Sequence, residues 1–292
     1  MQWLIFWLTY PLLRLVSLLP FPVFYRFSDV VCFLVYRVIG YRKKVVRHNL
    51  DMAFPGLSPK ERKHIEKKFY SHMCDMFLEM IKSISIKEEE LKKRFVFKDL
   101  SLINEFQEKN QSFLMIMGHY ASYEWLSALQ FYFDVPGYGI YKRIKNKYFD
   151  KMVRDIRGRF NSKLITNKEA IFTIRKQQKD GLMTTYAFIA DQSPRVSNTH
   201  HWSTFFGHQV PTFTGVERLA KSTGMPVLHV NVKKVKRGFY EASFKMLSAK
   251  PQTTPEFKIT DMFMHELENQ IKAAPEYYLW THKRFKHVKN TG

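Results

Sequence analysis

Apolar residues are distributed along this chain in one long N-terminal stretch and in several short runs separated by charged segments. Residues 1–39 are the most apolar part, and they are interrupted by Arg14 and by three prolines. Two interpretations fit this pattern: a short transmembrane anchor, or two apolar helices that break near residues 19–22 and lie in the membrane interface. A hairpin buried in the protein core is a third interpretation.

A basic cluster follows the apolar stretch and consists of Arg42, Lys43, Lys44 and Arg47. Such a cluster favours the cytoplasmic side of a membrane and suits anionic lipid head groups, although a solvated helix face explains its spacing as well. The stretch lacks the basic start and the small-residue cleavage site of a secretory signal, so we expect it to be retained. The predicted partition is a membrane-associated segment at residues 1–40 and one globular domain at residues 41–292, on the cytoplasmic side of a membrane.

The first pattern typical of an amphipathic helix covers residues 58–83. Ser58 is a suitable N-cap, Pro59 suits the first helical position, and Glu61 completes a capping box. Apolar residues then recur at helical spacing, which predicts one face buried in the core.

Short apolar runs alternate with helical patterns in the second part of the chain. The run Phe113–Met117 is wholly apolar and is ended by Gly118, which is typical of a strand buried on both faces. Further strands are predicted at residues 137–141, 162–166, 181–190, 225–232, 240–247 and 277–280, and helices at residues 122–133, 146–160, 169–179 and 255–273. The region 210–222 is mixed loop and helix. This alternation predicts an α/β fold with a mostly parallel or mixed central sheet flanked by helices.

The large net positive charge of the chain indicates an acidic partner. Lys and Arg number 47 and Asp and Glu number 26, which gives a formal net charge of +21. Nucleic acid, an anionic membrane surface and an acidic protein are the partners that such a charge allows. No helix-turn-helix, zinc or RNA-binding signature is present, and the N-terminus is too apolar for a nucleic-acid-binding protein, which is therefore the least favoured class.

The chain has two cysteines, Cys32 and Cys74, and they form neither a CxxC pair nor a disulfide framework. No third ligand accompanies the candidate histidine described next, so the sequence predicts no metal site. No cofactor is expected either.

The candidate chemistry follows the buried strand at residues 113–117. His119 lies where that strand ends, and ligands of open α/β sheets bind beyond the carboxyl ends of strands. Glu124 lies five residues further on, in the first turns of the next helix. A carboxylate on one imidazole nitrogen fixes the tautomer, so that the other nitrogen can take a proton from a hydroxyl. We therefore predict His119 as general base, oriented by Glu124; a core histidine bonded to backbone is the alternative.

These residues resemble a known family, the lipid A biosynthesis lauroyl and myristoyl acyltransferases of the lysophospholipid acyltransferase superfamily, which carry an HxxxxD/E motif after such a strand. The resemblance extends to Tyr141-Lys142-Arg143-Ile144-Lys145-Asn146, Arg157, Ala190-Asp191-Gln192, Phe205-Phe206-Gly207 and the closing block from Trp280 to Lys286. It covers nearly the whole chain and implies a glycerol-phosphate-acyltransferase-like fold. The chain departs from the family pattern at Lys142, where Arg is usual, and at Arg143, where Pro is usual.

The resemblance implies an acyltransferase that moves a fatty acyl chain from an acyl carrier protein thioester to a hydroxyl of a lipid A precursor. It implies substrate-binding roles for Lys142, Arg143, Arg157, Asp191 and Gln192, and it leaves His282 and Arg284 as structural or catalytic. An acidic carrier protein and an anionic lipid acceptor would both be attracted by a charge of +21. Another acceptor, such as an amino-acid lipid or a lysophospholipid, is the alternative. Acyl length and oligomeric state do not follow from the sequence.

Overall fold

A computed structural model describes residues 2–289 of the chain. Its helices are α1 (Gln2–Leu18), α2 (Phe21–Phe33), α3 (Lys43–Ala53), α4 (Pro59–Lys82), α5 (Glu88–Arg94), α6 (Ser101–Glu108), α7 (Lys147–Gly158), α8 (Ala170–Lys179), α9 (Gly215–Thr223) and α10 (Lys258–Ala273). Its strands are β1 (Phe95–Phe97), β2 (Phe113–Met117), β3 (Gly137–Tyr141), β4 (Lys163–Thr166), β5 (Thr185–Ile189), β6 (His201–Phe205), β7 (His208–Thr212), β8 (Val227–Lys236) and β9 (Phe239–Ser248). Residues 1 and 290–292, the outer ends of the two predicted regions, lie outside this description.

Seven of these strands form one sheet in the order β1-β9-β8-β2-β5-β3-β4. The β8–β9 pair is antiparallel and the other neighbours are parallel. All five residues of β2 are buried, as a central strand covered on both faces requires. The prediction of an α/β fold with a mixed central sheet flanked by helices is confirmed.

Helix α4 begins as its sequence predicts. The Glu61 backbone N–H donates to Ser58 Oγ at 3.3 Å, and Glu61 Oε2 accepts from the Ser58 backbone N–H at 2.7 Å. This capping box satisfies two amide groups that a helix start otherwise leaves unpaired. One side of α4 then packs in the core through Phe69, Tyr70 and Met73.

The structure differs from the predictions at three places, in detail at two of them and entirely at the third. The helix predicted at residues 122–133 is present as a 3₁₀ helix, Tyr123–Phe131. In the region 210–222, predicted as mixed loop and helix, α9 supplies the helix, but residues 210–212 belong to β7 of the hairpin β6–β7. Around residues 277–280 the structure has a single antiparallel bridge, between Tyr120 and Tyr278, in place of a strand.

The N-terminal helices pack on the α/β body on one side only. The Lys82 ammonium donates to the carbonyl oxygens of Ser17 and Leu19, both at 2.6 Å, and so caps the end of α1. The Phe6 ring stacks on Tyr148 at 5.6 Å between centroids, which joins α1 to the start of α7. The large apolar side chains on the other side are exposed; they include Trp3, Leu4, Trp7, Leu8, Leu12, Leu15, Val30, Phe33, Val38 and Ile39. Within residues 2–289, no helix combines the length and the apolar character needed to cross a bilayer.

Candidate active site

The candidate site lies where two neighbouring parallel strands end. Strands β2 and β5 run side by side, with Met117 opposite Ile189. His119 follows β2 by two residues, and Asp191 follows β5 by two residues, so both reach the same edge of the sheet. His119 Nδ1 lies 2.6 Å from Asp191 Oδ1, which makes the two residues a hydrogen-bonded histidine–carboxylate pair.

Burial and charge act in opposite directions on this pair. Burial alone would lower the pKa of His119, but the charge and hydrogen bond of Asp191, with a further contribution from Glu124, raise that pKa above its ordinary value. Burial alone would raise the pKa of Asp191, but the charge and hydrogen bonds of His119 and the charge of Arg284 lower it. Asp191 therefore stays ionised, and its oxygen fixes the Nδ1–H tautomer of a neutral His119.

The predicted hydrogen bond between Glu124 and His119 is wrong. Glu124 instead accepts two hydrogen bonds from Arg157 of α7, from Nε at 2.9 Å and from Nη2 at 2.7 Å. The 3₁₀ helix that carries Glu124 presents the carboxylate to α7, where a guanidinium fork occupies both oxygens. Glu124 influences the His119 ring only through its charge.

Aromatic and backbone contacts fix the His119 ring and its loop. The Tyr123 ring meets the imidazole edge to face, with centroids 5.0 Å apart. The backbone N–H of Leu279 donates to the His119 carbonyl at 3.0 Å, and that of Ala121 donates to the Tyr277 carbonyl at 2.9 Å. The segment of residues 277–285, called the C-terminal segment below, thus holds the loop that presents the imidazole.

A cavity of about 490 Å³ opens beside the pair, within the size range typical of ligand pockets. His119, Glu124 and Arg157 line its polar end. Its remaining walls are mostly apolar and include Met80, Met115, Met117, Leu126, Leu129, Phe133, Gly137, Gly139, Ile140, Val153, Leu164 and Ala187. The cavity thus combines polar side chains, among them an imidazole that can activate a hydroxyl, with mostly apolar walls.

The other residues predicted for substrate binding divide between the cavity and the surface. Lys142 and Gln192 line the cavity, whereas Arg143 is exposed in the loop after β3 and is not among the lining residues described. Asp150 holds this loop by accepting from the Ile144 N–H at 2.9 Å. Lys142 is thus the cation that this loop brings to the cavity.

Gly118 has a packing role that the sequence did not predict. A Cβ at this position would lie 2.6 Å from Leu267 Cδ1 of α10. The missing side chain at Gly118 leaves room for Leu267 of α10, which packs against the end of β2.

The pairing of His119 with Asp191 had a signal in the sequence. Both residues follow apolar runs that predict buried strands, and parallel strands end at one edge of a sheet. By contrast, no local pattern indicated Tyr123 as a packing partner of the imidazole or Tyr278 as a neighbour of Asp191.

Within residues 2–289, no group of three or more His, Cys, Asp or Glu side chains is placed to hold a metal ion.

The fold and this geometry define an α/β enzyme that can activate a hydroxyl with a histidine–carboxylate pair beside an apolar substrate cavity. Comparison with known sequences assigns the family: residues 1–287 match the model of the bacterial lipid A biosynthesis acyltransferases, and the chain belongs to that family. The chain is therefore an acyltransferase.

Curated relatives agree with this assignment. The chain is 28% identical over 284 residues to the lipid A biosynthesis lauroyltransferase of Escherichia coli K12, covering 96% of this chain and 90% of the relative. It is 24% identical over 295 residues to the lipid A biosynthesis palmitoleoyltransferase of the same organism, covering 96% and 92%. A lipid A biosynthesis acyltransferase of Shigella flexneri matches to the same extent.

Proposed function

We propose that this chain transfers a fatty acyl group from an acyl carrier protein thioester to a hydroxyl of a lipid A precursor. The observation that carries the proposal is the His119–Asp191 pair at the polar end of an apolar cavity. The relatives' names, which specify lauroyl and palmitoleoyl transfer in lipid A biosynthesis, support the transfer of a fatty acyl group in that pathway.

In the proposed reaction, the acceptor hydroxyl attacks the thioester carbonyl carbon while its proton passes to Nε2 of His119. Asp191 stabilises the resulting imidazolium through Nδ1–H. The tetrahedral intermediate collapses as the carbon–sulfur bond breaks, and the thiolate takes the proton from His119. An ester and a free thiol result, and the enzyme returns to its starting protonation state.

Two cations at the polar end suit the anionic groups of this reaction. Arg157 is held by Glu124 through both carboxylate oxygens, which fixes the position of its charge beside the imidazole. Lys142 lines the same cavity. We assign to Arg157 electrostatic stabilisation of the developing oxyanion, and to Lys142, with the exposed Arg143 nearby in sequence, attraction of acceptor phosphate. Gln192 is a further polar contact in the lining.

The apolar part of the cavity is assigned to the acyl chain. Its walls offer methionine, leucine and phenylalanine side chains, and glycine at two positions of β3. Burial of an alkyl chain there gains about 0.8 kcal/mol for each methylene removed from water.

The exposed apolar side of α1 and α2 is assigned to the inner membrane, with the catalytic domain on its cytoplasmic face. Apolar residues such as Trp3, Trp7 and Leu12 form this side of the N-terminal helices. Such a surface favours insertion among lipids, and the net charge of +21 adds attraction to anionic head groups. The same charge would attract an acidic acyl carrier protein.

The proposal is tested with the purified full chain, labelled acyl carrier protein and coenzyme A thioesters, and total bacterial lipid. The expected product is an acylated lipid A precursor, with the carrier protein thioester the better donor. His119→Ala should abolish product formation. His201→Ala is the matched control, because His201 also pairs with a carboxylate, Asp261 at 2.8 Å, but lies on β6 outside the cavity lining.

The outcomes separate the parts of the proposal. Transfer to an amino-acid lipid or a lysophospholipid would keep the chemistry and overturn the acceptor. A preference for coenzyme A would overturn the donor. Full turnover in His119→Ala would overturn the mechanism.

A further inference from the structure

Arg284 lies in the C-terminal segment and is bonded to the turn that follows Asp191. Its Nη1 donates to Ser193 Oγ at 2.8 Å and to the Pro211 carbonyl at 2.9 Å. Ser193 Oγ donates in return to the Arg284 carbonyl at 3.1 Å. The two hydrogen bonds with Ser193 tie the turn after Asp191 to both the side chain and the main chain of Arg284, and the third ties Arg284 to β7.

The guanidinium of Arg284 is buried, with 1% of the residue exposed. Its Nε has no hydrogen-bond partner in the described part of the chain. Burial lowers the pKa of Arg284, and the negative charge of Asp191 opposes that effect. A buried positive charge is costly unless a negative charge compensates it, and Asp191, also buried, is a negative charge of this site.

The described groups around Asp191 come from two parts of the chain. After β2 stand His119 and Tyr123; the C-terminal segment contributes Tyr278, His282 and Arg284. Burial raises the pKa of both tyrosines, and it lowers the pKa of His282 to about 4. These three are therefore neutral near pH 7. Of this described group, Arg284 carries the permanent positive charge.

We propose that Arg284 is a positioning residue for the histidine–carboxylate pair, which holds the turn at residues 191–193 and balances the buried carboxylate of Asp191. This inference rests on the proposed function, because it assumes that His119 and Asp191 carry out the proton transfer. Arg284 touches neither substrate nor the reacting atoms; it acts through Asp191.

The test compares Arg284→Met, which removes charge and hydrogen bonds, with Arg284→Lys, which keeps the charge but loses the planar fork. For Arg284→Met we expect kcat to fall on the order of 10- to 100-fold with little change in KM for the thioester. The acid limb of its kcat–pH profile should move to higher pH, because removing a positive charge raises the pKa of the histidine–carboxylate pair. For Arg284→Lys the acid limb should stay at the wild-type position, with an intermediate kcat.

Arg94 provides the matched control. It is also a buried arginine, 8% exposed, but it bonds to Glu90 and to the Gly238 carbonyl near the β8–β9 turn. Arg94→Met should lower thermal stability and leave the acid limb in place. If Arg284→Met behaves in the same way, or if Arg284→Lys moves the limb as far as Arg284→Met, the proposed role is overturned and Arg284 is structural.

Two further variants keep the test decisive. Should Arg284→Met not fold, Arg284→Lys and Ser193→Ala answer the question, because both loosen the turn and keep the charge. Both should lower kcat with an unmoved acid limb, and unchanged kcat in both would overturn the proposal. Asp191→Asn tests the underlying mechanism separately: full activity there would contradict the proposed function itself, whatever the behaviour of position 284.

Discussion

Nδ1 of His119 lies 2.6 Å from Oδ1 of Asp191, a residue 72 positions further along the chain. The two meet because β2 and β5 are adjacent parallel strands that end at the same edge of the sheet. Nε2 of the imidazole is the nitrogen that this arrangement leaves for an acceptor hydroxyl. The carboxylate of Glu124, five residues away in sequence, is bonded to Arg157 instead.

The first prediction distinguishes these two carboxylates. Asp191→Asn should lower kcat by about 10²- to 10⁴-fold, because an amide cannot stabilise the imidazolium and favours the wrong tautomer. Asp191 raises the pKa of His119, and a general base works in its neutral form, so the acid limb of the remaining activity should move to lower pH. Glu124→Gln, measured in parallel, should move the limb less, because Glu124 acts on the ring without a direct bond. An equal shift in both variants would contradict this assignment.

The second prediction concerns the Glu124–Arg157 pair. Arg157→Gln leaves a largely buried carboxylate without its partner, whereas the double variant Glu124→Gln/Arg157→Gln does not. The single variant should therefore be the less stable of the two in urea unfolding, by about 1–3 kcal/mol. The exposed pair Lys151–Asp155 is the control. There the single and double variants should have nearly the same free energy of unfolding, because an exposed ion pair contributes little. A double variant less stable than Arg157→Gln would show that the pair is not coupled in this way.

The third prediction concerns acyl length. Gly139 of β3 lines the cavity, and a Cβ there would lie 3.1 Å from Leu164 Cδ2, another lining residue. Gly139→Val should shorten the accommodated chain and lower kcat/KM for the best wild-type substrate about tenfold relative to a shorter thioester. Gly56→Val is the control, because no atom lies within 4 Å of a Cβ at that position. The measurement is kcat/KM for a series of thioesters of increasing acyl length, compared between the wild type and each variant.

The fourth prediction is a pH dependence of stability. Glu79 is buried and accepts from the Tyr25 and Tyr240 hydroxyls, each at 2.8 Å, and burial raises its pKa to about 7. The folded protein thus holds a proton there that the unfolded chain releases near pH 4.5. This contribution to the free energy of unfolding is complete below pH 4.5 and is lost as the pH rises through about 7.

Urea unfolding between pH 4.5 and 8 tests this sign. Wild-type stability should fall relative to Glu79→Gln by about 2–3 kcal/mol over that range. Glu89→Gln, an exposed position on α5, should track the wild type. A gap between wild type and Glu79→Gln that does not change with pH would contradict the raised pKa.

The fifth prediction concerns the N-terminal surface. Leu8→Glu/Leu12→Glu places two charges on the exposed apolar side of α1 and should lower binding to anionic phospholipid vesicles at least tenfold in a flotation assay. Phe172→Glu alters an equally exposed apolar residue on α8 and should bind as the wild type does. Equal losses in both variants would mean that charge alone, and not the α1 surface, decides the binding.

Much of the fold could be predicted because its signals are local. The five apolar residues of β2 predict a strand buried on both faces, and the Ser58–Glu61 capping box predicts the start of α4. The hairpin β6–β7 was not predicted, because its residues from His201 to Thr212 mix polar, aromatic and histidine side chains without a clear alternation.

The site was predicted in part, and the difference has a physical cause. His119 was identified because it directly follows a buried strand. Which carboxylate reaches its ring depends on which strand lies beside β2, and strand order is a tertiary property that sequence spacing does not determine. The contact of Glu124 with Arg157 likewise depends on the 3₁₀ geometry of residues 123–131, which an α-helical pattern does not reveal.

The backbone bonds from Leu279 to His119 and from Ala121 to Tyr277 join parts of the chain that the ribosome makes at very different times. A nascent chain that has not yet reached residue 277 lacks both partners of the His119 loop, and it also lacks Arg284, which ties down the turn after Asp191. Its sheet can form early, but its catalytic groups remain unassembled. The order of synthesis therefore places the assembly of the proposed catalytic groups after that of the sheet that carries them.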